Sequence, residues 1–437
     1  MTEGKRNQKQ EGFEVKTFPV PFEKLEIKES ITINTYSTSK SSREQIIDQA
    51  FNFHSKGNIS EAIKYYKYFI KQGFKDHRVF SNYGSILKDL GDLQEAERLT
   101  RKAINLKPNY EKAHSNLGNI LSDLGKLKEA EISLHKALKI NPNFANAHYN
   151  LGNIFRELGK QKEAEISLRK AIEINPELAQ AYNNLGRILK EIGNLKEAEE
   201  TTLKAIELNP DLSEAYLNLS MIELLKGNYQ SGLENYEFRF KVNNPNLPHC
   251  NTKIKRRDSS KLQKEEKILV ITEQGLGDTI QYMRYIPYLR NQGLKISFCA
   301  QTKLHTLIKA SGIDKNPLTP EEASEVSEGK WIPLLSLPRY LQVNPNNPII
   351  SEPYIFSTNE LKKKWKNILS TEKRPIIGIN WQGNPNIEKV SLRGRSLPLE
   401  TFSTLARNHN CKFLSLQKGF GSEQLDHCSF KNKFVEC

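Results

Sequence analysis

Cysteine is scarce in this sequence, and no cysteine or histidine spacing typical of a metal site occurs. Five cysteines are scattered over 437 residues without a CxxC pair, and the nine histidines show no HExxH spacing. An odd, scattered set of cysteines without paired spacing indicates neither a disulfide framework nor a zinc site, so we predict free thiols, no metal and a reducing compartment, the cytoplasm. A P-loop and a GxSxG turn are also missing, which argues against a P-loop nucleotide site and a serine-hydrolase nucleophile.

Long apolar runs are missing as well. No stretch approaches the roughly 18 apolar residues of a membrane-spanning helix, so we predict no membrane span. The net charge of +14 comes largely from lysines spread among glutamates, without the basic and aromatic arrays of nucleic-acid binders. We therefore predict no nucleic-acid partner. Residues 1–42 are polar and aperiodic, which predicts a flexible tail.

What the sequence does have is a 34-residue internal period, marked by a recurring glycine with a small residue five positions later. The glycines are Gly57, Gly91, Gly125, Gly159, Gly193 and Gly227. The small residues are Ala62, Ala96, Ala130, Ala164, Ala198 and Gly232. Such a glycine supplies the left-handed backbone that ends a first helix, and the small residue lets a second helix approach closely. The period places six repeats at 46–79, 80–113, 114–147, 148–181, 182–215 and 216–249.

Each repeat carries two short apolar stripes at helical spacing, and prolines recur after the second stripe. These spacings and residue types resemble the tetratricopeptide (TPR) family. The resemblance implies an α-solenoid, a TPR superhelix over residues 43–242, whose concave groove holds a protein or peptide. The end repeats depart from the pattern: Ser220 replaces the glycine found at Gly186 one period earlier.

An asparagine also recurs with the period, at one position of the first helix. The five residues are Asn82, Asn116, Asn150, Asn184 and Asn218. Asparagine costs roughly half a kcal/mol relative to alanine inside a helix, so its repetition indicates a shared task. One reading is a ladder of amides that binds an extended peptide backbone. The other reading is hydrogen bonding between adjacent repeats that stiffens the array.

Beyond a predicted linker at 243–266, the period changes to that of an α/β domain. The apolar run 267–272 reads as a strand buried on both faces, and strands and helices alternate after it. Gly275 and Gly277 are predicted to form a tight turn, with Asp278 opening the next helix. This turn is not the dinucleotide fingerprint, because Ile280 stands at the third glycine position.

A set of motifs in fixed order narrows the interpretation. The motifs are EQGLGDTIQYMRYIPYL, PLLSLP, IIGINWQGNPN, GRSLPLETF and FLSLQKG. In this order they resemble the TPR-linked glycosyltransferases of GT-B type, which are related to heptosyltransferases and, more distantly, to O-GlcNAc transferase. The resemblance implies a Rossmann-like N-terminal domain at 267–373 and a donor domain from 374 to 437. It also implies a nucleotide sugar as co-substrate, and no metal or other cofactor.

Site residues follow from the resemblance by position. Asp278 matches the aspartate thought to deprotonate the acceptor hydroxyl, in the Gly275–Gly277 turn. Asn384, Arg395 and Lys418 match the positions that approach the donor phosphates, where cations would offset charge on the leaving diphosphate. The alternatives are that Asp278 only caps its helix, with Gln281 three residues on, and that the two basic residues are surface charge.

The donor domain departs from the family in length, because residues 374–437 are fewer than the 100 or so that such a domain usually needs. We therefore expect an incomplete second Rossmann-like domain, a truncated chain and impaired transfer. Two functions stay open: a TPR-scaffolded glycosyltransferase, or a non-catalytic TPR adaptor that binds proteins. Whether the chain is an enzyme is left undecided by the sequence.

Overall fold

The computed structural model describes residues 42–243, 245, 247–258, 261–349, 352–383 and 396–435. Almost all of the predicted flexible tail lies outside this part of the chain. The chain forms two compact units, one ending at Asn184 and the other beginning at Leu185. No helix among the described residues is long and apolar enough to cross a bilayer.

The first unit is built from successive helix–turn–helix pairs. Its helices are α1 (Ser42–Ser55), α2 (Ile59–Lys71), α3 (His77–Asp89), α4 (Leu93–Leu106), α5 (Glu111–Asp123), α6 (Leu127–Ile140), α7 (Ala145–Glu157), α8 (Gln161–Ile174) and the start of α9 (Ala179–Glu191). The turn glycines are left-handed, with φ of +73° at Gly57 and +74° at Gly125. The small residues Ala62 and Ala130 are 0% exposed. Both predicted roles are confirmed.

A second glycine inside the first helices α3, α5, α7 and α9 sets the spacing of these pairs, whereas α1 has Ala50 at this position. A Cβ on Gly118 would lie 2.6 Å from Leu134 Cγ, and one on Gly152 would lie 2.7 Å from Leu168 Cγ. Contacts this short are not tolerated, so only a hydrogen at this position lets α5 pack on α6 and α7 on α8. The face of the first helix opposite this glycine therefore points away from the second helix.

The second unit continues the pattern with α10 (Leu195–Leu208), α11 (Ser213–Lys226) and α12 (Tyr229–Tyr236), followed by a 3-10 turn at 237–240. In the last pair, α11 and α12, both small residues differ from those of the earlier pairs. Ser220 stands at the helix glycine position and donates from Oγ to the Gly232 carbonyl oxygen at 2.7 Å. Gly232 replaces the usual alanine, since a Cβ there would lie 2.9 Å from Leu224 Cγ.

A small parallel sheet follows in the second unit. Its strands are β1 (Lys267–Ile271), β2 (Lys295–Cys299) and β3 (Lys330–Pro333), in the order β2-β1-β3. The connecting helices are α13 (Leu276–Tyr282), α14 (Tyr285–Asn291), α15 (His305–Ala310) and α16 (Pro320–Ser324), and α17 (Leu337–Tyr340) follows β3. Four of the five β1 residues are buried, as expected for a central strand with both faces covered.

The rest of the described chain forms α18 (Asn359–Leu369), β4 (Ile376–Ile379), α19 (Ser403–Asn408), β5 (Lys412–Ser415) and α20 (Gln424–His427). The strands β4 and β5 pair in parallel, with Ile376 opposite Lys412. A small aromatic core backs them, in which Phe413 is fully buried and contacts Phe430 and Phe434. The chain thus contains two small parallel sheets after the helical repeats.

The predicted linker is ordered in its second half. The Arg257 N–H donates to the Trp331 carbonyl oxygen at 2.9 Å, and the Trp331 N–H donates to the Lys255 carbonyl oxygen at 3.1 Å. This segment therefore runs parallel to β3 along its free edge. Arg257 is buried and pairs with Glu266 at 2.9 Å. Backbone pairing and this buried ion pair thus hold the basic run of the predicted linker against the sheet.

Candidate functional site

The periodic asparagines of the first unit bond backwards across one repeat. The Asn116 Nδ2 group donates to the Ser81 carbonyl oxygen at 3.4 Å and to Ser81 Oγ at 3.1 Å. The Asn150 Nδ2 group donates to Ser115 Oγ at 3.3 Å. The same helix position in successive repeats makes the same type of contact, because α3, α5 and α7 repeat one geometry. The stiffening interpretation of the asparagines thus has bonds to support it.

Asn184, the next asparagine of the row, also bonds to the preceding repeat but contacts different residue types. Asn184 Nδ2 donates to the Tyr149 hydroxyl at 3.3 Å and to Asn153 Oδ1 at 2.7 Å. At the other end of the row, the Asn82 side chain hydrogen-bonds the Tyr66 hydroxyl, whose pKa burial raises to about 12. Each amide is therefore held by the preceding repeat.

In these bonds the amide nitrogen of the asparagine donates, and its amide oxygen takes no part. Within the described residues, the Oδ1 atoms of Asn116, Asn150 and Asn184 accept no hydrogen bond. The three side chains are partly exposed. A carbonyl oxygen has two lone pairs, so each repeat offers a fixed acceptor to a donor from outside.

Asn218 in the second unit is different. It is 7% exposed, its Nδ2 donates to Thr202 Oγ1 at 3.1 Å, and its Oδ1 accepts from Lys190 Nζ at 3.1 Å. Burial, assisted by Arg187, lowers the pKa of Lys190 below its usual value. The amide of Asn218 is thus enclosed by its own unit, and the peptide-binding proposal below does not include it.

A row of carboxylates lies on the face of the first helices that carries the asparagines. It was not identified from the sequence. Seven residues after each asparagine of the row stands an acid: Asp89, Asp123, Glu157 and Glu191. Seven residues are close to two helical turns, so acid and amide share one face of each first helix. Burial, with the nearby Asp89, raises the pKa of Asp123 above its usual value, against the opposing charge of Lys88. The 34-residue period alone would have revealed these acids.

The turn after β1 differs from the prediction. The left-handed residue is Gln274, with φ of +62°, whereas Gly275 is extended and Gly277 lies inside α13. The helix begins at Leu276, so Asp278 is its third residue, and Asp278 Oδ2 accepts the Gly275 N–H at 3.0 Å. The predicted glycine turn and the predicted Asp278–Gln281 capping box are wrong. Asp278 does cap the helix, but by reaching back to Gly275.

A buried ion pair occupies the carboxyl edge of the first sheet. Arg239, from the 3-10 turn after α12, donates from Nη2 to Glu273 Oε1 at 2.8 Å and to Ser336 Oγ at 2.8 Å. The Leu335 N–H also donates to Glu273 Oε1, at 3.2 Å. Arg239 is 4% exposed and Glu273 is 0% exposed. The guanidinium lies 4.4 Å from the centre of the Tyr236 ring.

The environment shifts both pKa values upward. Burial raises the pKa of the Glu273 carboxyl, and Arg239 opposes this shift. Burial lowers the pKa of Arg239, but the carboxylates of Glu273 and Glu237 more than offset it, so that pKa lies above its usual value. In a sheet of order β2-β1-β3, the loops after β1 and β3 flank the switch point where α/β domains bind ligands. Here the chain's own arginine lies between those loops, which sequence reasoning missed.

The second sheet has an open cleft at its carboxyl edge. Gln417 Oε1 accepts the backbone N–H groups of Trp381 at 3.2 Å and Gln382 at 2.9 Å. The cleft is lined by Gln382, Gly383, Lys418 and Phe420 among others, and Lys418 is exposed. Asn384 and Arg395 lie outside the described residues. No hydrogen bond or ion pair between described residues joins Lys418 to Asp278, whereas Gly275 bonds Asp278 directly.

Metal ligation has no support in the described residues, where no group of three or more His, Cys, Asp and Glu side chains could hold an ion. The described cysteines, Cys250, Cys299, Cys411 and Cys428, are free thiols.

Comparison with known protein families identifies the helical pairs between residues 77 and 212. A TPR repeat model matches residues 118–155 and 152–193. Tetratricopeptide repeat models match residues 77–110 and 179–212. The chain carries tetratricopeptide repeats. All matched residues lie between 77 and 212, so these matches support the repeats and not a transferase domain.

Three solved structures that are similar to part of the chain are MamA, YrrB and PilW. MamA is 26% identical over 36% of this chain and 91% of its own, with a TM-score of 0.32. YrrB, described as a TPR protein with an unusual peptide-binding site, is 24% identical over 41% and 92%, with a TM-score of 0.33. PilW, a type IV pilus biogenesis factor, is 21% identical over 46% and 93%, with a TM-score of 0.41. Among curated proteins, none matches the chain.

Proposed function

We propose that the chain is a TPR scaffold that binds an extended peptide of a partner protein along the first helices of its first unit. The proposed peptide-binding residues are Asn82, Asn116, Asn150 and Asn184. The observation that carries the proposal is the set of open Oδ1 atoms on the last three of these, one in each of three successive repeats. An extended peptide offers backbone N–H donors at regular intervals, which suits a row of fixed acceptors.

The orientation of the amides supports this role. A backbone carbonyl can only accept a hydrogen bond, so the contact with the Ser81 carbonyl fixes which end of the Asn116 amide is nitrogen. The oxygen then points away from that partner without any rearrangement on binding. Preorganised acceptors lower the entropy cost of association, and each bond formed contributes about 0.5–1.5 kcal/mol.

The test separates binding from stiffening. An array of extended random peptides is probed with the wild-type chain and with Asn116→Ala/Asn150→Ala/Asn184→Ala. The proposal expects discrete peptide binding that weakens at least tenfold in the triple variant. Asn143→Ala is the matched control, because Asn143 is an exposed turn asparagine of the same unit. Unchanged binding combined with a lower melting temperature would leave the amides with the stiffening role alone.

A second candidate function is sugar transfer by the α/β part, for which the first sheet gives specific support. The Asp278 carboxylate lies at the carboxyl edge of a parallel sheet, where α/β domains place their ligands. One of its oxygens accepts the Gly275 N–H at 3.0 Å, which leaves the other for an acceptor hydroxyl. In this proposal Asp278 is the base, Gly275 and Gly277 lie beside the bound substrate, and Asn384, Arg395 and Lys418 contact the donor diphosphate.

Labelled nucleotide sugars with protein and glycan acceptors test this second function. Asp278→Asn is the informative variant, because an asparagine oxygen still accepts the Gly275 N–H while the base is lost. Turnover by the wild type that falls at least a hundredfold in Asp278→Asn would support transfer. If no donor is consumed, or both proteins consume it equally, the non-catalytic adaptor is the remaining interpretation.

A further inference from the structure

The helix α18 has no buried residue, which sets it apart from the repeat helices. Leu361 is 46% exposed and Trp365 is 39% exposed, although both are large apolar side chains. Just before the helix, Ile355 is 38% exposed and Phe356 is 51% exposed. Four large apolar residues within 11 positions thus lie open to solvent, where exposed apolar side chains elsewhere in the chain are mostly scattered.

The apolar residues of α18 form one continuous stripe. Leu361, Trp365, Ile368 and Leu369 stand at positions i, i+4, i+7 and i+8, which places them on a face about 100° wide. Lys364 borders this face on one side and Lys362 on the other, while Lys363 and Lys366 lie further round. All four lysines are exposed, and within the described residues none of them forms an ion pair. The helix is therefore amphipathic and basic.

The segment leading into α18 is attached to the first α/β part of the same unit. The Phe356 N–H donates to Ser311 Oγ at 3.1 Å, and the Tyr354 hydroxyl donates to the Ile280 carbonyl oxygen at 2.8 Å. Arg284 in turn donates to the Tyr354 hydroxyl at 3.1 Å. The start of the helix is further fixed by Thr358, whose hydroxyl accepts the Leu361 N–H. The exposed stripe is thus presented on an anchored segment.

We propose that α18, together with Phe356, docks onto the surface of a bilayer that contains anionic lipids. The stripe enters the boundary between headgroups and acyl chains, and the lysines on its borders reach the phosphates. This partner fits both features at once: the apolar face needs an apolar medium, and the lysine flanks need fixed negative charge beside it. Glu360 is the only acid in the helix, and it lies off the stripe.

The charge pattern argues against two other partners for this helix, a nucleic acid and a second copy of the chain. A nucleic acid would use the lysines but would leave the continuous aliphatic stripe in water. A second copy of α18 would bring eight lysines close together across the apolar contact, which is unfavourable. A lipid surface carries its negative charge in the plane of the lysine flanks, so both faces of the helix are satisfied without rearrangement.

Sedimentation of the full-length chain with vesicles tests the proposal. Vesicles of phosphatidylcholine with 40% phosphatidylserine should bind the wild type at low salt, and pure phosphatidylcholine should bind far less. Lys362→Gln/Lys364→Gln should weaken partitioning about 25-fold, at about fivefold per lysine. The control Lys136→Gln/Lys139→Gln removes the same charge from exposed repeat positions and should change little.

The apolar stripe has its own variants and its own spectroscopic signal. Leu361→Ser/Trp365→Ser should abolish binding, whereas Ile132→Ser/Ile166→Ser should not, although these isoleucines are 56% and 68% exposed. Trp365 is the most exposed of the three tryptophans, because Trp331 is half-buried and Trp381 is buried, so a blue shift of tryptophan emission on adding vesicles should disappear in Trp365→Phe. Equal binding by the stripe and control variants, or no binding to anionic vesicles, would overturn the proposal. So would a dimer in solution that only the stripe variant converts to monomer.

Discussion

Arg239 and Glu273 form a buried ion pair, with Nη2 and Oε1 2.8 Å apart, that ties the turn after the last repeat to the end of β1. Both charges are removed from water, so the pair is stable only while its hydrogen bonds to Ser336 and Leu335 persist. Within the second unit, the end of the repeats and the first sheet are therefore held together by specific polar contacts and not only by apolar packing.

Removing the arginine should destabilise the second unit strongly. Arg239→Ala leaves the Glu273 carboxylate buried without its partner, which should cost about 3–5 kcal/mol of unfolding free energy. Lys253→Ala is the matched control, since Lys253 and its partner Glu325 are 66% and 74% exposed and such pairs contribute about 0–1 kcal/mol. Urea unfolding followed by circular dichroism measures both. Equal losses for the two variants would refute the special role of the buried pair.

Adding one methyl group at a glycine inside a first helix should lower the free energy of unfolding. Gly118→Ala places a Cβ 2.6 Å from Leu134 Cγ, and the overpacking should cost about 1–3 kcal/mol. Shortening the opposing side chain provides the control. If the clash is the cause, Gly118→Ala/Leu134→Ala should be more stable than the sum of the two single variants indicates, as measured in a double-mutant cycle. Strict additivity would contradict the contact.

Acidification should destabilise the second unit through His249. Burial lowers the pKa of His249, and a hydrogen bond from the imidazole to the Gln274 backbone offsets this only in part. Above pH 6.5 both folded and unfolded states keep the ring neutral, so the residue contributes no pH dependence. As the pH falls below that value, the unfolded state takes up the proton first and stability is lost. His249→Gln should show a shallower decline of unfolding free energy between pH 7 and pH 5 than the wild type.

Thiol reactivity should differ sharply among the cysteines. Burial, with the neighbouring Cys250, raises the pKa of Cys299 to about 12, and the residue is 0% exposed. Since the thiolate is the reactive species, Cys299 should resist maleimide labelling in the native protein. The partly exposed Cys428 should react sooner, which peptide mapping by mass spectrometry can follow. Rapid labelling of Cys299 without denaturant would disprove its enclosure.

Much of the helical part could be predicted because its signals are local. The left-handed glycines and buried alanines obey a fixed period, and each acts within one helix pair. The exchange of roles between Ser220 and Gly232 was visible only as an irregular end repeat. Its physical reason, a hydroxyl bond across the pair, depends on the position of Leu224 and required the structure.

The sheet edge was predicted less well for two reasons. Asp278 was expected to open its helix, but the helix begins two residues earlier, and that shift changes the residue that the carboxylate caps. Arg239 and Glu273 lie 34 residues apart in regions that sequence reasoning assigned to different domains. No local pattern indicates that an arginine from the repeats lies beside the strand loops.

The bonds that the asparagines make to the preceding repeat have a consequence for how the array can change in length. Asn116 reaches Ser81, and Asn150 reaches Ser115, each one residue more than a full period away. Duplicating or losing one whole 34-residue unit preserves every such bond, whereas an insertion of any other length breaks them. The repeat array can therefore be lengthened in steps of one unit, and every step adds one more asparagine with the same bond to the preceding repeat.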